Sequence, residues 1–173
     1  MNISFQVMNR KFATEITGWR YDTPYEIYGY VEGDKNQTID HFTTEENRFY
    51  AILSGDELIG FRSFGEDGRV SGGNYDDSHL DTGGGLHPDL TGKGLGPEII
   101  MKGLLFGSRA FGKNRFRVTI ADFNKRAKKA CEKIGFSPTQ RFARTSDGEH
   151  FTIFTIEINN REPLDRVLSN FTE

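Results

Sequence analysis

Residues 81–96 read DTGGGLHPDLTGKGLG, and this one segment holds six of the chain's 20 glycines. A flexible linker would be rich in glycine and serine and would lead into a new domain. Here the sequence PEIIMKGLLF follows at once, at residues 97–106. Its apolar residues recur at helical spacing, and Pro97 suits a first helical turn, where a missing N–H costs nothing. The glycine-rich segment is therefore predicted to be a tight loop that opens a helix.

The chain on either side of this loop shows alternating strand and helix patterns. Asn124 suits the N-cap of the last helix and Gly135 suits its end, and Ser54-Gly55-Asp56 suits a hairpin turn. Strands are predicted at residues 3–7, 49–53, 57–64, 79–86, 115–120 and 151–158, and helices at 12–19, 97–106 and 124–134. This order predicts an α/β fold of mixed α+β type, in which helices flank both faces of a central mixed sheet.

Composition restricts the class of protein. The 173 residues are room for a single domain, and 22 Lys and Arg against 25 Asp and Glu give a net charge of -3. Nucleic-acid and anionic-membrane binders present basic surfaces, so this charge argues against both. The one cysteine excludes an intramolecular disulfide framework, and no ligand spacing predicts a metal site. Residues 1–7 lack the features of a signal peptide, and no apolar run reaches a membrane span, so we expect a soluble, cytoplasmic domain.

A glycine loop before a helix predicts an anion site, because the first helical amides are unpaired and the helix dipole is positive there. A Walker A loop requires GxxxxGK followed by Ser or Thr, but Gly92-Lys93 is followed by Gly94 and preceded, five residues earlier, by His87. A dinucleotide fingerprint requires GxGxxG, but the spacing here is Gly92-x-Gly94-x-Gly96. Both of these phosphate motifs are excluded.

The spacing does resemble the acetyl-CoA loop of the GNAT acetyltransferase superfamily. There a strand ends in an apolar residue, x and Pro, followed by (Arg/Gln)-x-x-Gly-x-(Gly/Ala) and a helix; the counterparts here are LHP at 86–88 and TGKGLG at 91–96. A second family element, Asn-x-x-Ala and then an aromatic-Glu-Lys-x-Gly-Phe end, corresponds to NKRA at 124–127 and CEKIGF at 131–136. The resemblance covers residues 49–158, leaves a polar tail at 161–173, and implies a GNAT-like, mostly antiparallel sheet.

The resemblance implies transfer of an acetyl group from acetyl-CoA, as co-substrate, directly to a primary amine in a ternary complex. The backbone at Leu86 would pair with the pantetheine arm, and the amides of Gly92 to Gly96 would hold the pyrophosphate. Lys93, Lys125, Arg126, Lys128 and Lys129 either meet the 3′-phosphate of the nucleotide or form an ordinary solvated helix face. The full set of residues implied to bind the cofactor is Leu86, His87, Thr91, Gly92, Lys93, Gly94, Leu95, Gly96, Asn124 and Lys128.

The candidate catalytic residues are Asp81 and Cys131, which the resemblance implies, and His79, which lies two residues before Asp81. Asp81 stands where many related sequences have an acidic residue that relays the amine proton; the alternative is a carboxylate that caps local amides in a distorted strand. Alternation puts His79 on the same face as Asp81, and His87 is another candidate acid or base. Cys131 replaces a tyrosine thought to protonate the leaving thiolate, and it is either a substitute acid or a small packed residue.

The acceptor is expected to be a small-molecule or peptide amine, bound by a monomer or homodimer. Aromatic walls with carboxylates suit a cationic amine, although the aromatics equally suit a core and the aspartates a solvated loop. The aromatic candidates are Trp19, Tyr21, Tyr25, Tyr28 and Tyr30. The acidic candidates are Asp67, Asp76, Asp77 and Asp81.

Two departures from the family pattern keep other functions open. Thr91 stands where Arg or Gln usually contacts the pyrophosphate, and Cys131 stands in place of the tyrosine. A non-catalytic acyl-CoA-binding or regulatory module with the same fold is therefore the alternative to an active N-acetyltransferase. A different phosphate-ligand protein is a third possibility.

Overall fold

The computed structural model describes residues 1–159, so the predicted tail at 161–173 lies outside the described residues. The strands are β1 (Ile3–Val7), β2 (Phe49–Ser54), β3 (Glu57–Phe64), β4 (Leu80–Leu86), β5 (Arg115–Ala121), β6 (Ser137–Ala143) and β7 (His150–Glu157). The helices are α1 (Arg10–Thr17), α2 (Lys35–Thr43), α3 (Gly96–Phe111) and α4 (Lys125–Lys133). No helix within this described part is long and apolar enough to cross a bilayer.

The strands form one sheet in the order β1-β2-β3-β4-β5-β7-β6. Every neighbouring pair is antiparallel except β4 and β5, which run parallel. That parallel pairing covers only Leu80 with Phe116 and Asp81 with Arg117, whereas β3 stays paired with β4 as far as Leu86. Beyond Asp81 the two central strands therefore diverge and leave a cleft in the middle of the sheet.

Helices cover both faces of the sheet, as the sequence predicts. On one face α3 and α4 pack through Leu104 and Cys131 on β5 and β7. On the other face α1 and α2 pack through Ile16 and Phe42 on β2 and β3. The predicted mixed, mostly antiparallel fold class is confirmed.

Local chemistry sets most helix boundaries. The Asn124 side chain accepts a hydrogen bond from the Ala127 amide (3.1 Å) and begins α4 as predicted, while Gly112, with φ of 65°, ends α3. Helix α1 begins two residues earlier than predicted, because the Asn9 side chain caps it at the Phe12 amide. Helix α2 was not predicted from the sequence pattern.

Candidate functional site

The cleft exposes one edge of β4. Gly84 lies in the middle strand of the sheet and is nevertheless exposed. The His87 amide donates to the Ile59 carbonyl of β3 (2.9 Å), so alternation turns the backbone polar groups of Leu86 away from β3 and toward the cleft. Residues 82–86 thus offer a strand edge that an extended ligand can pair with.

The glycine loop at the end of this edge has open space beside its backbone. Gly92 and Gly94 have φ of 74° and 79°, and no atom lies within 4 Å of where their Cβ atoms would be. Leu95, the N-cap of α3, provides no side-chain cap, which leaves the first amides of the helix available to an anion. A Cβ on Gly96 would lie 3.2 Å from Ala130, so that glycine sets the close approach of α3 and α4.

Arg126 of α4 reaches this loop from another element. Its Nη1 donates to Thr91 Oγ1 (3.2 Å), and its guanidinium lies 4.1 Å from the centre of the Tyr25 ring. Lys128, on the same helix, instead forms an ion pair with Asp122 (2.8 Å), which directly follows β5. Thr91, which replaces the family's Arg or Gln, is therefore accompanied by an arginine from a different element.

His87 and Asn124 both have partners within the protein. The Nδ1 atom of His87 accepts from the Asp89 amide (3.2 Å), and its ring packs edge-on against Trp19 at 5.2 Å. Asn124, besides capping α4, donates through Nδ2 to the Tyr28 hydroxyl (3.1 Å). These two side chains shape the loop and the helix start from which the cleft is built.

Asp81 lies at the closed end of the cleft and is fully engaged. Its carboxylate is 2% exposed and accepts from Arg117 Nε (2.6 Å) and Nη2 (2.9 Å) and from Arg69 Nε (2.8 Å). Arg117 also pairs with Asp76 and lies over the Tyr75 ring. The expected base is thus the centre of an ion-pair network that joins β4 to β5.

His79 precedes the paired part of β4. Its Nδ1 hydrogen bonds with Ser78 Oγ (2.7 Å), and burial, with nearby Arg117, lowers its pKa. With Asp77 it lines a cavity of about 380 Å³ at the start of the strand. The glycine loop lies beyond the other end of β4, about 20 Å away for a seven-residue strand.

Cys131 is buried beneath the cleft. The side chain is 3% exposed in the core between α4 and the sheet, and burial raises the pKa of its thiol to about 12. Arg62, on β3, is the nearby charge that opposes this rise. The thiol therefore holds its proton more firmly than an ordinary cysteine, whose pKa is about 8.5.

The aromatic residues of the N-terminal third form two groups. Tyr21 donates from its hydroxyl to the Leu86 carbonyl (2.8 Å), at the end of the open edge, and it shares a core with Trp19 and Tyr30. Tyr25 and Tyr28 instead stack around Phe123, just before α4. The segment from Tyr21 to Tyr28 therefore spans the diverging ends of β4 and β5.

Asp67 is the acidic candidate that contacts α2 and β3 on the α1–α2 side of the sheet. One oxygen bonds His41 Nε2 (2.7 Å), and the other accepts from Ser63 Oγ (3.2 Å). Ser63 lies beside Gly83, where a Cβ would be 3.4 Å from its hydroxyl. His41 was missed by the sequence analysis because it lies on α2, and only the fold brings it to Asp67.

The described residues contain no group of three or more His, Cys, Asp or Glu side chains that could hold a metal ion.

Comparison with known proteins agrees with this architecture. The chain resembles a GNAT-family acetyltransferase from Bacillus anthracis, with a TM-score of 0.70, 15% identity, and coverage of 94% of this chain and 97% of that one. It resembles AAC(6')-Ib in complex with ribostamycin and coenzyme A at a TM-score of 0.70 and 15% identity, covering 93% and 96% of the two chains. A spermidine N-acetyltransferase SpeG chimera from Vibrio cholerae and hSSAT matches with a TM-score of 0.68 and 14% identity, covering 98% of this chain and 99% of that one.

At these identities the structural likenesses show the fold. No curated protein matches the chain in sequence. The family described as the acetyltransferase (GNAT) domain matches residues 5–137, which is most of the chain. The chain therefore belongs to the GNAT acetyltransferase family.

Proposed function

We propose that this protein transfers the acetyl group of acetyl-CoA to a primary amine of a small molecule or peptide, by direct attack in a ternary complex. The observation that carries the proposal is the open edge of β4, residues 82–86, which leads directly into a glycine loop at the start of α3. An extended amide-containing arm pairs with such an edge as an added strand would, and a pyrophosphate suits the loop amides.

The cofactor would be held by backbone more than by side chains. Gly92 and Gly94 have open space at their Cβ positions, which lets a phosphate approach the backbone, and Arg126 supplies the positive charge that Thr91 lacks. Guanidinium groups bind phosphate oxygens strongly through charge-assisted hydrogen bonds. Lys128 is a weaker candidate for binding phosphate, since Asp122 already neutralises its charge.

The acceptor would enter from the α1–α2 face. There Tyr21, Tyr30 and Asp67 lie near one another, and desolvation, with the charges of Tyr21 and Asp67, raises the pKa of the Tyr30 hydroxyl above its usual value. A carboxylate among aromatic rings favours a positively charged amine. Two structural relatives are named for a spermidine acetyltransferase and for a complex with the aminoglycoside ribostamycin, and both compounds carry several amines.

The reaction needs a group that takes a proton from the acceptor before attack. Asp81 is poorly suited, because both of its oxygens accept hydrogen bonds from arginines. We assign the step instead to Asp67 with His41, whose 2.7 Å contact lets the pair receive a proton and share it. Ser63, which donates to Asp67, lies beside Gly83 on this face of β4, so the pair is close to the open edge of the strand.

A thiol-release assay with acetyl-CoA and a panel of amines tests the proposal. The panel should contain a polyamine, an aminoglycoside, a neutral primary amine and a peptide with a free N-terminus. Turnover with the cationic amines and weak turnover with the neutral one is expected. Tight CoA binding by calorimetry with no turnover on any amine would support the alternative, a non-catalytic acyl-CoA-binding module. No CoA binding at all would reject the cofactor assignment.

A further inference from the structure

Arg62 is a buried cation that has no counter-charge among residues 1–159. It is 6% exposed on β3 and points into the layer that holds α3 and α4. Its Nη1 donates to the Thr82 hydroxyl (3.0 Å), its Nε has no hydrogen-bond partner, and no ion pair joins it to a carboxylate of residues 1–159. Burial lowers its pKa to about 10, so the guanidinium is still charged at neutral pH.

The fold makes room for this side chain. Gly103 lies in the middle of α3, where a Cβ would be 2.6 Å from Arg62 Nε and 2.7 Å from its Cδ. Glycine weakens a helix interior, and burying an unpaired charge opposes folding. Two unfavourable features are thus combined at one point, which suggests that the charge serves a ligand.

Arg62 reaches the start of the cleft through Thr82. Thr82, the partner of Arg62, is the first residue of β4 beyond its pairing with β5. The glycine loop begins after Leu86, which lies about 13 Å from Thr82 along the strand at the usual rise per residue. A pantetheine arm laid along the open edge, with its pyrophosphate at the loop, brings its thioester end toward Thr82. This step rests on the proposed function.

We propose that Arg62 stabilises the thiolate that leaves when the acetyl group is transferred. The bond between the amine nitrogen and the acetyl carbon forms, and the carbon–sulfur bond breaks with its electron pair going to sulfur. The proton of the attacking amine goes to Asp67 and His41, and CoA departs as a thiolate that water protonates after release. Arg62 keeps its proton throughout. A preorganised charge in a dry site lowers the energy of such a developing anion.

The thiol of bound CoA is the direct probe, because it can be titrated without turnover. Ultraviolet absorbance of the thiolate, followed against pH, gives its pKa on the wild-type protein, Arg62→Met and Arg62→Lys. We expect the thiol pKa to fall below the ordinary value of about 8.5 on the wild-type protein and on Arg62→Lys, and to return to it on Arg62→Met. An unshifted thiol pKa on the wild-type protein would overturn the inference, whether or not the variants fold.

Kinetics and stability complete the test. Arg62→Met is expected to lower kcat about 100-fold, with little change in the KM for acetyl-CoA. Its thermal midpoint should stay equal or rise, because a well-packed apolar side chain replaces an unpaired charge. A fall in the midpoint with unchanged kcat would show a merely structural role.

Two further results would distinguish thiolate stabilisation by Arg62 from other roles of this residue. A wild-type preference for succinyl-CoA over acetyl-CoA that disappears in Arg62→Met would show that Arg62 reads a carboxylate on the acyl group, and would overturn the thiolate role. Failure of the wild-type protein to bind CoA would reject the proposed function itself. Binding of CoA with an unshifted thiol pKa would reject only the role of Arg62.

Discussion

Buried charges are paired differently on the two sides of the point where β4 leaves β5. At the closed end Asp81 accepts three hydrogen bonds from Arg117 and Arg69, and the strand is held against β5. One residue further along, Thr82 contacts Arg62, whose guanidinium has no carboxylate partner within residues 1–159. A buried ion pair that is fully bonded holds a scaffold in place, whereas an unpaired buried charge remains available to a ligand.

This contrast separates two acidic residues for which the sequence predicted different roles. Asp81 was the expected base, whereas Asp67 was expected only among the carboxylates near the acceptor. Asp81 is 2% exposed and lies on the paired side, whereas Asp67 is 31% exposed and lies on the face from which an acceptor can approach. We therefore expect stability to depend on Asp81 and reaction rate to depend on Asp67.

The largest effect is expected from Asp81→Asn. Removing one charge of a buried, bonded pair leaves Arg117 uncompensated and should lower the free energy of unfolding by about 3 kcal/mol. Denaturant unfolding measures it. Asp76→Asn is the matched control, because Asp76 pairs with the same arginine but its side chain is 71% exposed, and it should cost less than about 1 kcal/mol. Unchanged stability with a large loss of kcat in Asp81→Asn would make Asp81 the base and reverse the contrast.

Gly94→Val tests the loop at the open end. Gly94 has φ of 79° and Gly112, at the opposite end of α3, has φ of 65°; neither has an atom within 4 Å of its Cβ position. Valine strains both backbones similarly, by about 1–2 kcal/mol, so Gly112→Val controls for strain. CoA affinity by calorimetry should fall about 100-fold, or about 2.7 kcal/mol, in Gly94→Val alone. Equal affinities in the two variants would contradict the loop assignment.

Asp67→Asn is expected to act on the reaction more than on the fold. Loss of its charge should lower kcat/KM for a cationic amine about 30-fold, or about 2 kcal/mol, and leave CoA affinity unchanged. Steady-state kinetics with the best amine of the panel measures this. Asp56→Asn, in the exposed turn between β2 and β3, is the control and should behave as wild type. If the Asp67 and Asp56 variants react equally fast, the acceptor site lies elsewhere.

The sequence predicted the features that local chemistry determines. Pro97 and the preceding glycines indicated where α3 begins, and Asn124 indicated where α4 begins. The divergence of β4 and β5 could not be predicted, because it depends on pairing between residues about 36 apart in the chain. Arg62 was missed for the same reason: an arginine in an apolar strand pattern shows neither its burial nor the absence of a partner until β3, α3 and α4 are packed together.

Helix α2 shows another limit of prediction from sequence. Only Ile39 and Phe42 are buried among its nine residues, which is too short an apolar stripe to predict a helix. Without α2, the sequence could not predict the part of the candidate site that contains His41, because α2 carries this residue. The sequence therefore predicted only aromatic walls for the acceptor from the N-terminal third. The contact of His41 with Asp67 was not predicted.

The smallest effect is expected from Cys131→Ala. Burial raises the pKa of this thiol to about 12, so a proton transfer from Cys131 to the CoA thiolate, whose thiol has a pKa of about 8.5, runs uphill. Steady-state kinetics should show kcat within about threefold of wild type, and unfolding should show a loss of about 1 kcal/mol from the small cavity. Arg62→Met is the comparison, because the two side chains are neighbours beneath the cleft. A loss of kcat of about 100-fold in Cys131→Ala, with Arg62→Met unaffected, would move the leaving-group chemistry from the unpaired arginine to the thiol.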